Sequence, residues 1–122
     1  MIDLRKFMRS LRFAWKGIRT LAREEQSFRL QLLAAVAVII LMLVFQLKRS
    51  EIALLLVVTT SVLVLELLNS AVERLVDLFR PRIHRYAEDI KDIMAGAVLV
   101  CALGALLVGV IVFWPYVTAL LS

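Results

Sequence analysis

The sequence predicts an all-α integral membrane protein: an N-terminal amphipathic surface helix followed by three transmembrane helices. Three observations carry that expectation. Apolar residues make up 62% of the 122-residue chain, above the roughly 45–50% of soluble domains, and a chain this short has too little interior to bury them. Three apolar runs of spanning length follow one another, about 28–47, 52–77 with a polar second half, and 93–121. Ahead of them, a basic segment repeats apolar residues at helical steps. Residues 1–122 read as one membrane-embedded domain.

The first segment, about 4–23, places Leu4, Phe7, Met8, Leu11, Trp15, Ile18 and Ala22 at three- and four-residue steps, the period of one helix face. Arg5, Arg9, Arg12, Lys16, Arg19 and Arg23 occupy much of the remainder. A cationic face opposite Trp and Phe suits a helix lying in the headgroup plane. Nucleic acid is not an expected partner, because the chain continues into membrane spans rather than a recognition module. Charges recur through residues 3–29, so no signal-peptide core forms there.

Glu24-Glu25-Gln26-Ser27 breaks the basic run, and the first span follows. Its interior, 32–45, carries no charged or amide side chain. Twenty residues at ~1.5 Å each cover the ~30 Å hydrocarbon. Lys48-Arg49-Ser50-Glu51 is the expected turn, long enough only to join antiparallel neighbours.

The second span leads into Glu66-Leu-Leu-Asn69-Ser70-Ala-Val-Glu73-Arg74-Leu-Val-Asp77. Glu66, Asn69, Glu73 and Asp77 fall at i, i+3, i+7 and i+11, one helix face. Glu66 lies ~21 Å along the axis from Ile52, at the far edge of the hydrocarbon, and Asp77 ~37 Å along, beyond it. The carboxylate column therefore crosses one membrane–water boundary, where its charges need compensation by cations, protons or partners.

Residues 79–89 read as a polar connection in which Pro81 ends or kinks the second helix. His84 has no neighbour at ligand spacing and reads as a solvated loop residue. Lys91-Asp92 precedes the third span, which is uncharged. Within that span Ala97, Cys101, Ala105 and Gly109 form a small-residue face suited to close helix approach, and Trp114 and Tyr116 an aromatic belt. Cys101, alone in an apolar run, is expected to be an inert packing residue.

Eight Lys/Arg lie at or before Arg29, two in the first turn, five between Arg74 and Lys91, and none after. The positive-inside rule then puts the N-terminus and the second connection in the cytoplasm and the C-terminus outside. That topology gathers Glu25, Glu66, Asn69, Glu73, Asp77, Lys91 and Asp92 at the cytoplasmic boundary. Two carboxylates can hold magnesium with phosphate oxygens and water, a lysine can bind phosphate, and a carboxylate at the hydrocarbon edge can act as base toward a lipid hydroxyl. A polar interhelical network, or a channel or transporter subunit passing ions, would use the same groups. No Walker A, protein-kinase, dinucleotide or zinc motif is present.

The stretch Glu66-x-x-Asn69-Ser70-Ala71-Val-Glu73-x-x-Val-Asp77, with Lys91-Asp92 before Ala95-Gly96-Ala97-Val98-Leu99, and Trp15-Lys16-Gly17-Ile18-Arg19 before Glu25 and Phe28-Arg29, resembles the small prokaryotic diacylglycerol kinases, including their undecaprenol kinase branch. The resemblance covers nearly the whole chain. It implies a homotrimer in the bacterial inner membrane with active sites between subunits, and ATP-dependent phosphorylation of a membrane lipid alcohol. It also implies roles: Glu66 the base, Asn69 a positioning group, Glu25 and Glu73 the Mg2+ ligands, Lys91 a γ-phosphate contact, Asp77 and Asp92 supports of the nucleotide. Ala14 stands where the enterobacterial diacylglycerol kinases have serine, and Leu30-Gln31 where the Gram-positive branch often has Ile-His. Pro81, His84 and Ala95-Gly96-Ala97 look closer to the undecaprenol kinases. These signals point both ways on the lipid.

Overall fold

In the computed structural model, which describes residues 1–122, the chain forms four helices: α1 (Leu4–Glu24), α2 (Gln26–Phe45), α3 (Arg49–Leu78) and α4 (Arg80–Leu121). The last three are long and apolar enough to cross a membrane. Only 13 of 122 residues are buried within the chain, so most of its apolar surface needs lipid or neighbouring protein for cover.

Helix α1 starts on Asp3, whose carboxylate accepts from the amides of Arg5 at 3.0 Å and Lys6 at 3.4 Å. This N-cap satisfies two of the free donors of the first turn. The opposite end is satisfied by Arg29 of α2, which donates to the carbonyls of Ala22 at 3.1 Å and Arg23 at 2.8 Å. A cation there also complements the helix dipole. One residue, Glu25, separates α1 from α2, its backbone extended at φ −117, ψ 119.

The α2–α3 turn is tighter and earlier than the sequence suggested. It uses Gln46 in the left-handed region (φ 51), with the amides of Gln46 and Leu47 turned onto the Met42 carbonyl, a helix ending that more commonly selects Gly or Asn. Arg49, Ser50 and Glu51 already belong to α3. The Glu51 carboxylate accepts from the Lys48 amide at 3.0 Å, which starts the helix and explains why a polar tetrapeptide need not be a loop. Met42, Leu47, Leu55 and Val112 form the buried cluster at this end, flanked by Phe45, Phe113 and Tyr116. Tyr116 departs from a belt role: it packs on the Phe45 ring and donates to the Glu51 carboxylate. Trp114 stays exposed.

The α3–α4 connection also differs from the expected polar loop. Helix α3 runs to Leu78, Phe79 alone bridges, and Pro81 sits in the first turn of α4. There its missing donor leaves no hydrogen bond unmade. The kink is at Ile83 (φ −114, ψ 23), after which α4 packs back along α3. Ala87 is fully buried in this corner, while His84 is exposed. The absence of a bulky side chain at Ala87 lets the helices approach, and Lys91, one turn later on the same face, reaches α3.

Candidate functional site

Glu66 and Ser70 are the only buried polar residues of the chain, 5% and 1% exposed. They lie one turn apart on α3, at the end of its apolar run and facing the α1–α2 joint. The Ser70 hydroxyl donates to the Glu25 carboxylate at 2.7 Å across 45 residues of sequence. Ser27 and Glu25 are the polar neighbours of Glu66 on that side. Phe28, 1% exposed, and Leu21 pack beneath the joint. One turn beyond Ser70, Arg74 pairs with Glu24 at 2.6 Å. Both partners are about half exposed, so this pair registers the helices more than it stabilises them.

The Asp77 end of the column is built by α4. The Lys91 ammonium lies 2.6 Å from Asp77, with Arg80 on the same carboxylate oxygen at 3.9 Å. Arg80 also meets Glu88 at 2.6 Å. Glu73 and Asp92 are exposed and take part in none of the chain's four ion pairs, and Asn69 is half-buried. The sequence-selected residues thus fall into two groups: Glu25 and Glu66 around Ser70, and Asp77 with Lys91, while Glu73 stands between them facing outward. No three acidic, His or Cys side chains converge closely enough to hold a metal by themselves.

The sequence assigns no chemical role to Ser70, Ser27, Arg29, Glu24 or Arg74, which enter it only as motif positions, boundary residues or topology charges. Each of the five acts across a helix boundary, and no spacing within one helix signals it.

An open groove of about 570 Å³ separates α1 from the same part of α3, walled by Phe13, Gly17, Ile18, Leu67 and Ala71, with Arg74 at its edge. A second, apolar groove of about 670 Å³ lies between α2 and α4, bordered by Ala34, Ala35, Val38, Ala105, Gly109 and Phe113. Half of the small-residue face, Ala105 and Gly109, thus lines this groove, whereas Ala97 is exposed. No charged residue lies between Glu51 and Glu66 on α3. Between them α3 offers as polar groups only Thr59, Thr60 and Ser61, and the Ser61 hydroxyl is returned to the Val57 carbonyl at 2.7 Å. A single chain therefore carries a buried polar cluster, Glu66 and Ser70 with Glu25, at the end of the apolar run of α3.

A model of the family "Prokaryotic diacylglycerol kinase" matches residues 12–113. The chain is 35% identical over 113 residues to the undecaprenol kinase of Bacillus subtilis, covering 93% of this chain and 92% of the relative. It is equally identical, 35% over 113 residues, to the diacylglycerol kinase of Synechocystis, covering 92% of this chain and 65% of that protein. To the diacylglycerol kinase of Escherichia coli K12 it is 25% identical, over 91% of both chains.

Proposed function

Because the chain belongs to the prokaryotic diacylglycerol kinase family, we propose that it transfers the γ-phosphoryl group of ATP to the hydroxyl of a membrane lipid alcohol, either diacylglycerol, giving phosphatidic acid, or undecaprenol. The observation that carries this reading is the buried Glu66 carboxylate at the level where apolar helix surface gives way to charge. A lipid hydroxyl is confined to that level, and ATP comes from the water side.

Glu66 takes the hydroxyl proton as the lipid oxygen attacks the γ-phosphorus and the bond to the ADP oxygen breaks; the proton then passes to water. Burial suits a base for this step, since water would otherwise compete for the phosphoryl group. Glu25 and Glu73 hold the magnesium of Mg-ATP. Bound there, magnesium neutralises phosphate charge, the main electrostatic need of phosphoryl transfer. Lys91 leaves Asp77, its partner in the free chain, for the γ-phosphate, and Asp77 and Asp92 support the nucleotide. Asn69 orients the reacting groups. The lipid approaches along the groove between α1 and α3, whose walls are apolar and whose edge carries Arg74.

The working unit is a homotrimer with sites between subunits, supported by how little of one chain is buried and by the open apolar groove between α2 and α4. A position of α1 on the cytoplasmic surface of the bacterial inner membrane, with the C-terminus outside, is supported by the cation distribution. Where a neighbouring subunit packs into the α2–α4 groove, Ala105→Leu crowds that contact, and overpacking of this kind costs about 1–3 kcal/mol. The variant is expected to lose thermal stability or trimer, read by thermal unfolding and by size in detergent.

The function itself is tested by offering the purified protein diacylglycerol and undecaprenol separately, in mixed micelles with Mg-ATP. Magnesium-dependent phosphorylation of at least one is expected, and the ratio of kcat/KM values names the lipid. No product from either, with the assembly intact, overturns the proposal. ATP-independent ion flux in proteoliposomes would replace it with the transporter reading.

A further inference from the structure

Ser70 differs from the serines and threonines whose hydroxyl bonds are local, Ser10, Thr20, Ser61, Thr118 and Ser122. Ser10, Thr20 and Ser61 each return the hydroxyl to the carbonyl four residues back, at 3.1, 2.8 and 2.7 Å. Thr118 and Ser122 bond three residues back. This is the default for a helical Ser or Thr, which finds its nearest acceptor in its own helix. Ser70 has the Glu66 carbonyl at the same offset, yet its hydroxyl spans to the Glu25 carboxylate at 2.7 Å. It does so at 1% exposure, where water offers no alternative partner.

Glu25 is the residue such a contact would most constrain. Its backbone is already held on both sides: its amide donates to the Leu21 carbonyl at 2.9 Å, and its carbonyl accepts from the Arg29 amide at 3.2 Å. The side chain remains, with several rotatable bonds whose ordering carries an entropy cost. A hydrogen bond to an ionised acceptor is about twice as strong as a neutral one, and it occupies one of roughly four acceptor positions on the carboxylate.

We infer that Ser70 is the positioning residue for Glu25: its hydroxyl fixes one carboxylate oxygen at the buried wall of α3 and leaves the other directed to the magnesium of the bound nucleotide. The inference deepens the proposed function and rests on its reading of Glu25 as a metal ligand. Ser70 acts only through Glu25 and touches neither the lipid nor ATP. The exposed Arg74–Glu24 pair beside it registers the same helices, so loss of the Ser70 bond frees the carboxylate without detaching the joint.

Thr and Val have nearly the same shape and differ in the hydroxyl, so Ser70→Thr and Ser70→Val impose the same crowding and only one keeps the bond. The intact protein in nanodiscs is titrated with Mn2+ in the presence of a non-hydrolysable ATP analogue, with bound Mn2+ read by electron paramagnetic resonance. Ser70→Val is expected to bind Mn2+ about ten- to hundredfold more weakly than Ser70→Thr, the loss of a hydrogen bond to a charged group. In a Glu25→Ala background the two variants are expected to agree within about twofold, because the residue through which Ser70 acts is gone. Equal affinities for Thr and Val beside a clear loss in Glu25→Ala overturn the positioning role and leave the metal assignment standing. The same Thr-to-Val ratio in both backgrounds overturns it as well. Unchanged affinity in Glu25→Ala overturns the reading of Glu25 as a ligand, and the inference falls with it.

Discussion

Glu66→Gln is expected to lower turnover by about two to four orders of magnitude, the usual worth of a positioned general base, while Mg-ATP affinity stays within a fewfold of the parent. The amide keeps the shape of the carboxylate and can accept a hydrogen bond, but it cannot take a proton at neutral pH. Glu66 is 5% exposed and neighbours Ser27 and Glu25, so the isosteric change avoids a cavity. A loss confined to kcat is the signature of a group used in the transition state and not in nucleotide binding. The measurement is nucleotide affinity by equilibrium binding beside steady-state kinetics on the same preparation. Nucleotide binding abolished with turnover reduced only in proportion would move Glu66 into the metal site.

The second large effect is expected at the opposite side of Ser70. Glu73→Gln and Glu25→Gln should raise the magnesium concentration needed for half-maximal activity and weaken nucleotide binding. Even an outer partner of a metal ligand is worth about ten- to hundredfold in affinity, so removing either proposed anionic ligand should cost at least ~tenfold. The two variants should differ in their side effects. Glu73 is exposed in the single chain, so its amide should leave thermal stability unchanged. Glu25 accepts the Ser70 bond, so its amide should cost some stability also without magnesium. Metal titrations of activity and of nucleotide binding check the first point, and thermal unfolding in metal-free buffer the second. If Glu73→Gln binds nucleotide normally and Glu66→Gln does not, the assignments along the column are reversed.

Much of this molecule is determined by sequence alone, and the reason is the bilayer. A run such as 28–47, whose interior 32–45 carries no charged side chain, is long enough to span as a helix, which satisfies its own backbone where lipid supplies no partner. The basic first segment and the i, i+3, i+7, i+11 spacing from Glu66 to Asp77 are local periodicities. Helices α1, α2 and α3 accordingly appear with boundaries close to those expected. Tertiary structure decided the joints and the cross-helix pairs. A single residue, Glu25, separates α1 from α2, and a single residue, Phe79, separates α3 from α4. Pro81 starts a helix instead of ending one, because a proline fits an N-terminal turn as well as it breaks an interior one. Tyr116 turned inward to Glu51, 65 residues away, a choice an amphipathic ring makes by what it meets. The bonds from Ser70 to Glu25, from Arg74 to Glu24 and from Lys91 to Asp77 belong to the same class. Helical periodicity tells which face a residue occupies, but the partner on that face is set by how the helices pack, and no spacing within one helix carries that information.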